Sequence, residues 1–235
     1  MIRHPGAMHV FRRFFEDRAD AGRRLAALLE ARGLAADTLV LGLPRGGVPV
    51  AAEVAVILGF ELDVLCVRKL GVPFQRELAM GAIASGGAVV RNEDILAEWP
   101  GAAGAFERVL EQERNELSRR ERAYRGADSP RPGVRGRDVI VVDDGLATGA
   151  TMEAAVRSLR TLDARKVIVA VPVASPEAVR RVAAVADEVV CVMMPESFGA
   201  VGECYGNFDQ TSDAEVARLL VLFATGRSGN GATPP

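Results

Sequence analysis

Four consecutive apolar β-formers, Val139-Ile140-Val141-Val142, lead without a polar break into two acids, Asp143-Asp144, and then into the loop Gly145-Leu-Ala-Thr-Gly-Ala-Thr151. An unalternated run of this kind suits a strand buried on both faces of a parallel sheet. After Leu146 the loop holds nothing larger than Thr, so backbone can approach a ligand closely. An apolar pattern of helical period follows. Thr148 to Thr151 therefore fall at a helix N-terminus, where unpaired N–H groups and the helix dipole favour an anion such as phosphate. With two carboxylates at the strand tip, the stretch suits a ligand that carries a phosphate at one end and neutral hydroxyls nearby.

The flanking chain repeats the strand–helix alternation. Asp17 to Arg32 reads as an amphipathic helix with Ala21, Leu25, Leu28 and Leu29 on one stripe, stopped by Gly33. Thr38 to Leu43 reads as a strand that enters Pro44-Arg45-Gly46-Gly47, followed by a helix from Val48 to Leu58 that ends at Gly59. Leu62 to Val67 reads as the next strand, closing on Arg68-Lys69, and the three make a right-handed βαβ unit. Beyond the acid loop come a helix from Ala150 to Leu162, a strand from Lys166 to Val173, a helix from Pro176 to Val185 and a strand from Glu188 to Met193. The fold class is α/β, with a mainly parallel central sheet flanked by helices. Ligands in such sheets collect at the carboxyl ends of the strands.

Between these halves the pattern changes. Leu78–Ala84 and Ala88–Arg91 are candidate strands around a Ser85-Gly86-Gly87 hairpin, and Trp99-Pro100-Gly101 breaks the chain. Ala105 to Tyr124 is a charge-dense helix with a thin apolar seam, laced by Glu116–Arg120 and Glu121–Arg125 in the favourable order. It suits a solvated helix packed on one side, or alternatively a mobile cover or dimer contact. Arg125 to Arg137 reads as a loop and Pro195 to Gln210 as an irregular segment, after which Asp213 caps a last helix to Phe223. The expected organisation is one domain over residues 10–224. Residues 74–125 form an insertion or cover, 195–212 a late hood loop, and 225–235 a disordered tail.

Composition narrows the function. A net charge of −2 gives no reason to expect nucleic acid or an anionic membrane as partner. His4 and His9, the two histidines, both lie in the lead-in, which speaks against His-based nucleophilic triads and His-ligated zinc. Cys66, Cys191 and Cys204 lack metal-like spacing and read as reduced cytosolic thiols. Neither a membrane span nor a signal peptide is expected, so the location expected is cytoplasmic.

Three strands thus end in chemically loaded loops: Pro44 to Gly47, Arg68-Lys69, and Asp143 to Thr151. In one parallel sheet their ends share an edge. Gly46 and Gly47 would free N–H groups for an anion nest, and Arg45, Arg68 and Lys69 add positive charge beside it. The cavity expected has two anion sites with a carboxylate pair between them.

The segment VIVVDDGLATGAT closely resembles the phosphoribosyl-diphosphate (PRPP) signature of type I phosphoribosyltransferases, nearest to the adenine form. PRGG resembles the family's pyrophosphate loop, and VRK the Arg-Lys after its second strand. PRGGVPVA and SFGAVGECYGNFDQTSD are also similar to stretches of stand-alone bacterial phosphoribosyltransferase-domain proteins. The resemblance implies transfer of the 5-phosphoribosyl group from PRPP to a nitrogenous base, with release of pyrophosphate. It implies that Asp143 and Asp144 hold the ribose hydroxyls. Ala147, Thr148, Gly149, Ala150 and Thr151 would cradle the 5′-phosphate. Pro44, Arg45, Gly46 and Gly47 would take pyrophosphate with Mg²⁺, helped by Arg68 and Lys69. Mg²⁺ would arrive with PRPP, near Asp143 and Asp144. The resemblance further implies a cis Pro44–Arg45 peptide and a homodimer. One position departs: where 6-oxopurine enzymes place an Asp before Thr-Gly, this chain has Ala147. Glu203 and Asp209 are the late-loop candidates for acid–base help, and Phe198, Tyr205 and Phe208 for stacking on a base. A Walker loop is excluded because no Lys precedes the hydroxyl residue, and a dinucleotide fingerprint because the glycine spacing at 42–47 does not fit. The rival function is a PRPP- or nucleotide-binding regulator without turnover.

Overall fold

The side-chain alternation of the central strands decides the layers. The computed structural model describes residues 14–73, 75–98, 101–126 and 132–228. In chain order its elements are α1 (Arg18–Glu30), β1 (Leu39–Gly42), α2 (Gly47–Leu58), β2 (Glu61–Val64), β3 (Val67–Val72), β4 (Gln75–Ala84) and β5 (Val89–Arg91). There follow α3 (Glu93–Glu98), α4 (Ala102–Arg125), β6 (Asp138–Val142), α5 (Ala150–Thr161), β7 (Lys166–Val173), α6 (Pro176–Ala183), β8 (Glu188–Met193) and α7 (Asp213–Ser228). Five strands form a sheet in the order β2-β1-β6-β7-β8, every neighbour parallel. Val40, Ile140 and Ile168 face the side covered by α1 and α2, where Leu25, Leu29, Val50 and Val54 meet them. Leu39, Leu41, Val139, Val141, Val167 and Val169 face the other side, against Met152, Val156 and Leu159 of α5 and Val182 of α6. Both sets are buried, which is why the strands show no polar alternation. Each such side chain is worth about 1.5–3 kcal/mol when fully buried.

Local signals set the helix ends. The Asp17 carboxylate accepts from the Asp20 N–H at 2.8 Å to start α1, and Ser175 does the same for Ala178 at 3.0 Å ahead of Pro176 in α6. Gly59 closes α2 at φ 70°, a conformation with little penalty for glycine.

Three readings of the sequence change. The second strand of the parallel sheet stops at Val64, and the run through Val67 is not one strand. Leu65 donates to Gly42 O, after which Cys66 and Ser85 bind each other and commit the chain to antiparallel pairing of β3 with β4. Arg68 and Lys69 therefore lie inside β3 of a separate β3-β4-β5 sheet, not in a loop that closes a parallel strand. At the last helix the cap is Ser212, whose hydroxyl accepts from Glu215 N–H, and Asp213 is the first helical residue. That helix runs on to Ser228, past the expected tail boundary at 225, while residues 229–235, like His4, His9, Trp99 and Pro100, lie outside the described residues. A short helix, α3, also sits where the sequence carries no apolar stripe.

The long charged helix α4 is fixed at its C-terminal end. The Arg125 guanidinium forks onto the two oxygens of Asp63 at 2.7 and 2.8 Å and also reaches Glu121 at 3.3 Å. The Arg125 and Asp63 side chains are 6% and 8% exposed, so this pair sits in a dry setting. Removing Asp63 takes away the two short bonds and leaves the buried guanidinium with the longer contact to Glu121 and the Val64 carbonyl. Asp63→Ala is expected to lower unfolding stability by up to about 3–5 kcal/mol, measured by urea titration.

Candidate active site

The Pro44–Gly47 loop and the acid pair are packed directly against each other. A Cβ on Gly46 would overlap the Asp144 carboxylate, and one on Gly47 would lie 2.6 Å from Val142 O and 2.8 Å from Asp143 Cα. The Pro44–Arg45 peptide is cis, as the resemblance implied. Gly47 does not contribute to an anion nest, because its N–H already donates to Leu43 O at 3.0 Å. The Arg45 and Gly46 N–H groups have no protein acceptor among the described residues. The Arg45 side chain turns toward α7, 3.9 Å from Asp213, which also accepts from Tyr124.

The carboxylates are held unequally. Asp143 accepts from the Asp144 N–H at 2.9 Å. Asp144 Oδ2 accepts from Arg18 Nε at 3.0 Å and from its second terminal nitrogen at 2.8 Å, with the two side chains 12% and 16% exposed. Burial first, then the neighbouring Asp144 carboxylate, push Asp143 well above the ordinary carboxylate range. Burial also raises Asp144, against the opposing pull of the Arg18 guanidinium. Sequence reasoning assigned no role to Arg18. Its one anomaly is position: a cation opens a helix, where the dipole disfavours it.

The loop after the acids is bolted at its ends and open in the middle. Leu146 exchanges hydrogen bonds with Val173 and Ser175, and the Ser175 hydroxyl donates to Ala147 O at 2.8 Å. Gly149 adopts φ 72° with its Cβ position 3.2 Å from Ala178 O, so only glycine fits without strain. The N–H groups of Ala147, Thr148, Gly149, Thr151 and Met152 have no protein acceptor among the described residues, and that of Ala150 has only a long contact of 3.4 Å to the Thr148 hydroxyl. This is a cluster of donors at a helix start, suited to an anion.

The late segment is a cover on the acid loop. Val201 fills the space a Gly145 side chain would need, and the Tyr205 hydroxyl donates to Asp144 O at 2.6 Å. Phe15 packs on Tyr205, while Gly206 and Asn207 donate to Phe15 O and Glu16 O. Tyr205 is buried among Phe15 and Phe208, and Arg18 lies 4.0 Å from the centre of the Phe208 ring, so neither ring has the open face that stacking on a base needs. Glu203 lays its carboxylate over the Gly199 backbone, and Asp209 meets Arg18 through its carbonyl at 2.7 Å. Arg68 and Lys69 line a cavity against α4 that touches the loop at Thr151. The Cys66 thiol is pushed up to about 12 by burial and is not a nucleophile.

A family model for the phosphoribosyl transferase domain matches residues 16–205. The chain belongs to this family. It is 51% identical over 210 residues to "Putative phosphoribosyl transferase Rv0571c" of Mycobacterium tuberculosis, which covers 88% of this chain but 46% of that protein. The chain thus spans under half the length of the curated relatives it matches. TT1426 from Thermus thermophilus superposes with a TM-score of 0.81 at 45% identity, covering 89% of this chain and 98% of that one. Among the described residues, no helix is long and apolar enough to cross a membrane.

The packing of family loop on acid pair is directly testable. Gly46→Ala is expected to destabilise the fold by about 1–3 kcal/mol, through forced displacement of the Asp144 carboxylate, with the melting temperature as readout.

Proposed function

We propose that this chain transfers the 5-phosphoribosyl group from PRPP to a nitrogenous base, releasing pyrophosphate. The observation that carries the reading is the run of acceptor-free N–H groups from Ala147 to Met152, interrupted at Ala150, beside the half-buried acid pair. A 5′-phosphate bound there would satisfy these donors and the positive end of α5, with the hydroxyls of Thr148 and Thr151 adding two more. Asp143 and Asp144, when ionised, accept from the ribose 2′- and 3′-hydroxyls. The Arg45 and Gly46 N–H groups, in the loop packed on the acids, take the pyrophosphate end.

Among the described residues no three His, Cys, Asp or Glu side chains gather as a metal cage. Adjacent aspartates instead fit Mg²⁺ that arrives on phosphate oxygens and keeps several waters. When bound, the ion supplies neutralisation of charge on the leaving pyrophosphate. The chain's own residues orient C1′ by fixing the ribose at both ends. Backbone N–H groups at Arg45 and Gly46 stabilise the departing charge without reorganising. Ala147 offers no carboxylate to take a proton from the attacking base, so either Glu203 or Asp209 of the late segment supplies that help or the acceptor is not a 6-oxopurine.

Incubation with PRPP, Mg²⁺ and a panel of purine, pyrimidine and pyridine bases is expected to release pyrophosphate with at least one acceptor. PRPP binding without turnover across the panel would move the reading to the regulator. Asp144→Asn is expected to weaken PRPP binding about tenfold or more by calorimetry with the fold intact.

A pH effect follows from the acid pair. Ligand hydroxyls and Mg²⁺ need ionised carboxylates, and both pKa values are raised, so PRPP affinity is expected to fall on acidification above the ordinary carboxylate range. Arg18→Ala removes a pull toward the ionised form. The acid limb of a binding-against-pH profile is expected to move to higher pH, and an unmoved limb would show that Arg18 does not govern Asp144.

A further inference from the structure

The transferase reading uses the backbone N–H of Arg45 and leaves its side chain without a task. That guanidinium turns toward α7, where Nη1 lies 3.9 Å from Asp213 Oδ1. The two side chains are 37% and 52% exposed, so a contact of this length adds only about 0–1 kcal/mol to stability. A long cation on the pyrophosphate loop is thus held loosely by a carboxylate of another element.

The carboxylate itself is fixed. Tyr124, buried on α4, donates its hydroxyl to the same Asp213 Oδ1 at 3.1 Å. Ser212 caps α7, which sets Asp213 in the first turn, where the helix dipole favours the ionised form. Arg119, the other cation whose charge reaches Asp213, is spent on Glu116 through two bonds of 2.7 and 2.9 Å. Asp213 therefore stands as a stationary anion facing one loosely held guanidinium.

We propose that Asp213 is a counter-ion that competes with pyrophosphate for the Arg45 guanidinium. The inference rests on the assignment of the Pro44–Gly47 loop to pyrophosphate, and adds a residue that sets how tightly that end is held. When PRPP binds, Arg45 leaves Asp213 for the more highly charged phosphates, and a weak, exposed contact costs little to break. When pyrophosphate departs, Asp213 takes the guanidinium back. Asp213 is a positioning residue: it acts through Arg45, lowers the affinity for ligands that carry the pyrophosphate group, and leaves a ligand without that group untouched.

Calorimetry with PRPP, pyrophosphate and ribose 5-phosphate, each with Mg²⁺, tests this at low ionic strength, where exposed charges are least screened. Asp213→Asn keeps an acceptor for Tyr124 and removes the charge. It is expected to tighten PRPP and pyrophosphate about two- to fivefold and to leave ribose 5-phosphate unchanged. Damage to the fold does not raise affinity, so a merely structural Asp213 gives the opposite sign. In an Arg45→Ala background the same substitution is expected to have no effect. Tightening that persists there is plain charge repulsion and overturns the proposal, as does unchanged or weaker PRPP binding by Asp213→Asn alone. Both of those results leave the transferase reading standing. If the unaltered chain binds none of the three ligands, the assignment of the loop falls and the proposal with it.

Discussion

The contact on which the site depends is the one between the bare backbone of Gly46–Gly47 and the carboxylates of Asp143–Asp144. Taking two adjacent carboxylates out of water is unfavourable: burial raises the proton affinity of both, and the Asp144 charge adds to it at Asp143. The structure tolerates the pair because two glycines leave room for the carboxylates and Arg18 neutralises the outer one. The parallel pairing of β1 with β6, Gly42 opposite Val142, delivers both loops to one edge. The sheet therefore determines which residues meet, and the absence of two methyl groups determines how closely.

Around that contact the molecule builds from both directions in sequence. The entry to α1 supplies Phe15 and Arg18, and the late segment supplies Val201, Tyr205 and Phe208. Aromatic contact and backbone hydrogen bonds join the two before either reaches the acids. The aromatic residues that look available for a ligand are thus spent on holding the cover. An acceptor base would have to be recognised by backbone, by Phe198, or by polar groups at the rim.

What was legible in the sequence follows physical range. The central strands announced themselves because burial on two faces erases alternation, and the acid loop because donors, glycines and acids lie within one short segment. The β2–β3 break was not legible: Leu62 to Val67 is one apolar run, and its division is imposed by pairing with β4. Arg18 was beyond reach for the same reason, since its partner is 126 residues away. The cap at Ser212 rather than Asp213 illustrates a smaller ambiguity, two good capping residues in succession, which only the backbone path decides. The loss of Gly47 as an anion donor likewise depends on a carbonyl that the turn happens to present.

The hydrogen bond from Tyr205 to the Asp144 carbonyl has a consequence for how the protein is made. That contact spans 61 residues, and the Arg18 pair 126. During synthesis the strands of the parallel sheet can assemble as they emerge, yet the acid loop stays uncovered until residue 209 has left the ribosome. Nascent chains halted before that point would hold the two acids open to water, without the burial that raises their proton affinity, and Arg18 would lack both its carbonyl partner and its aromatic seat. Completion of the site is therefore a late event in biogenesis, tied to the last segment rather than to the sheet that carries it.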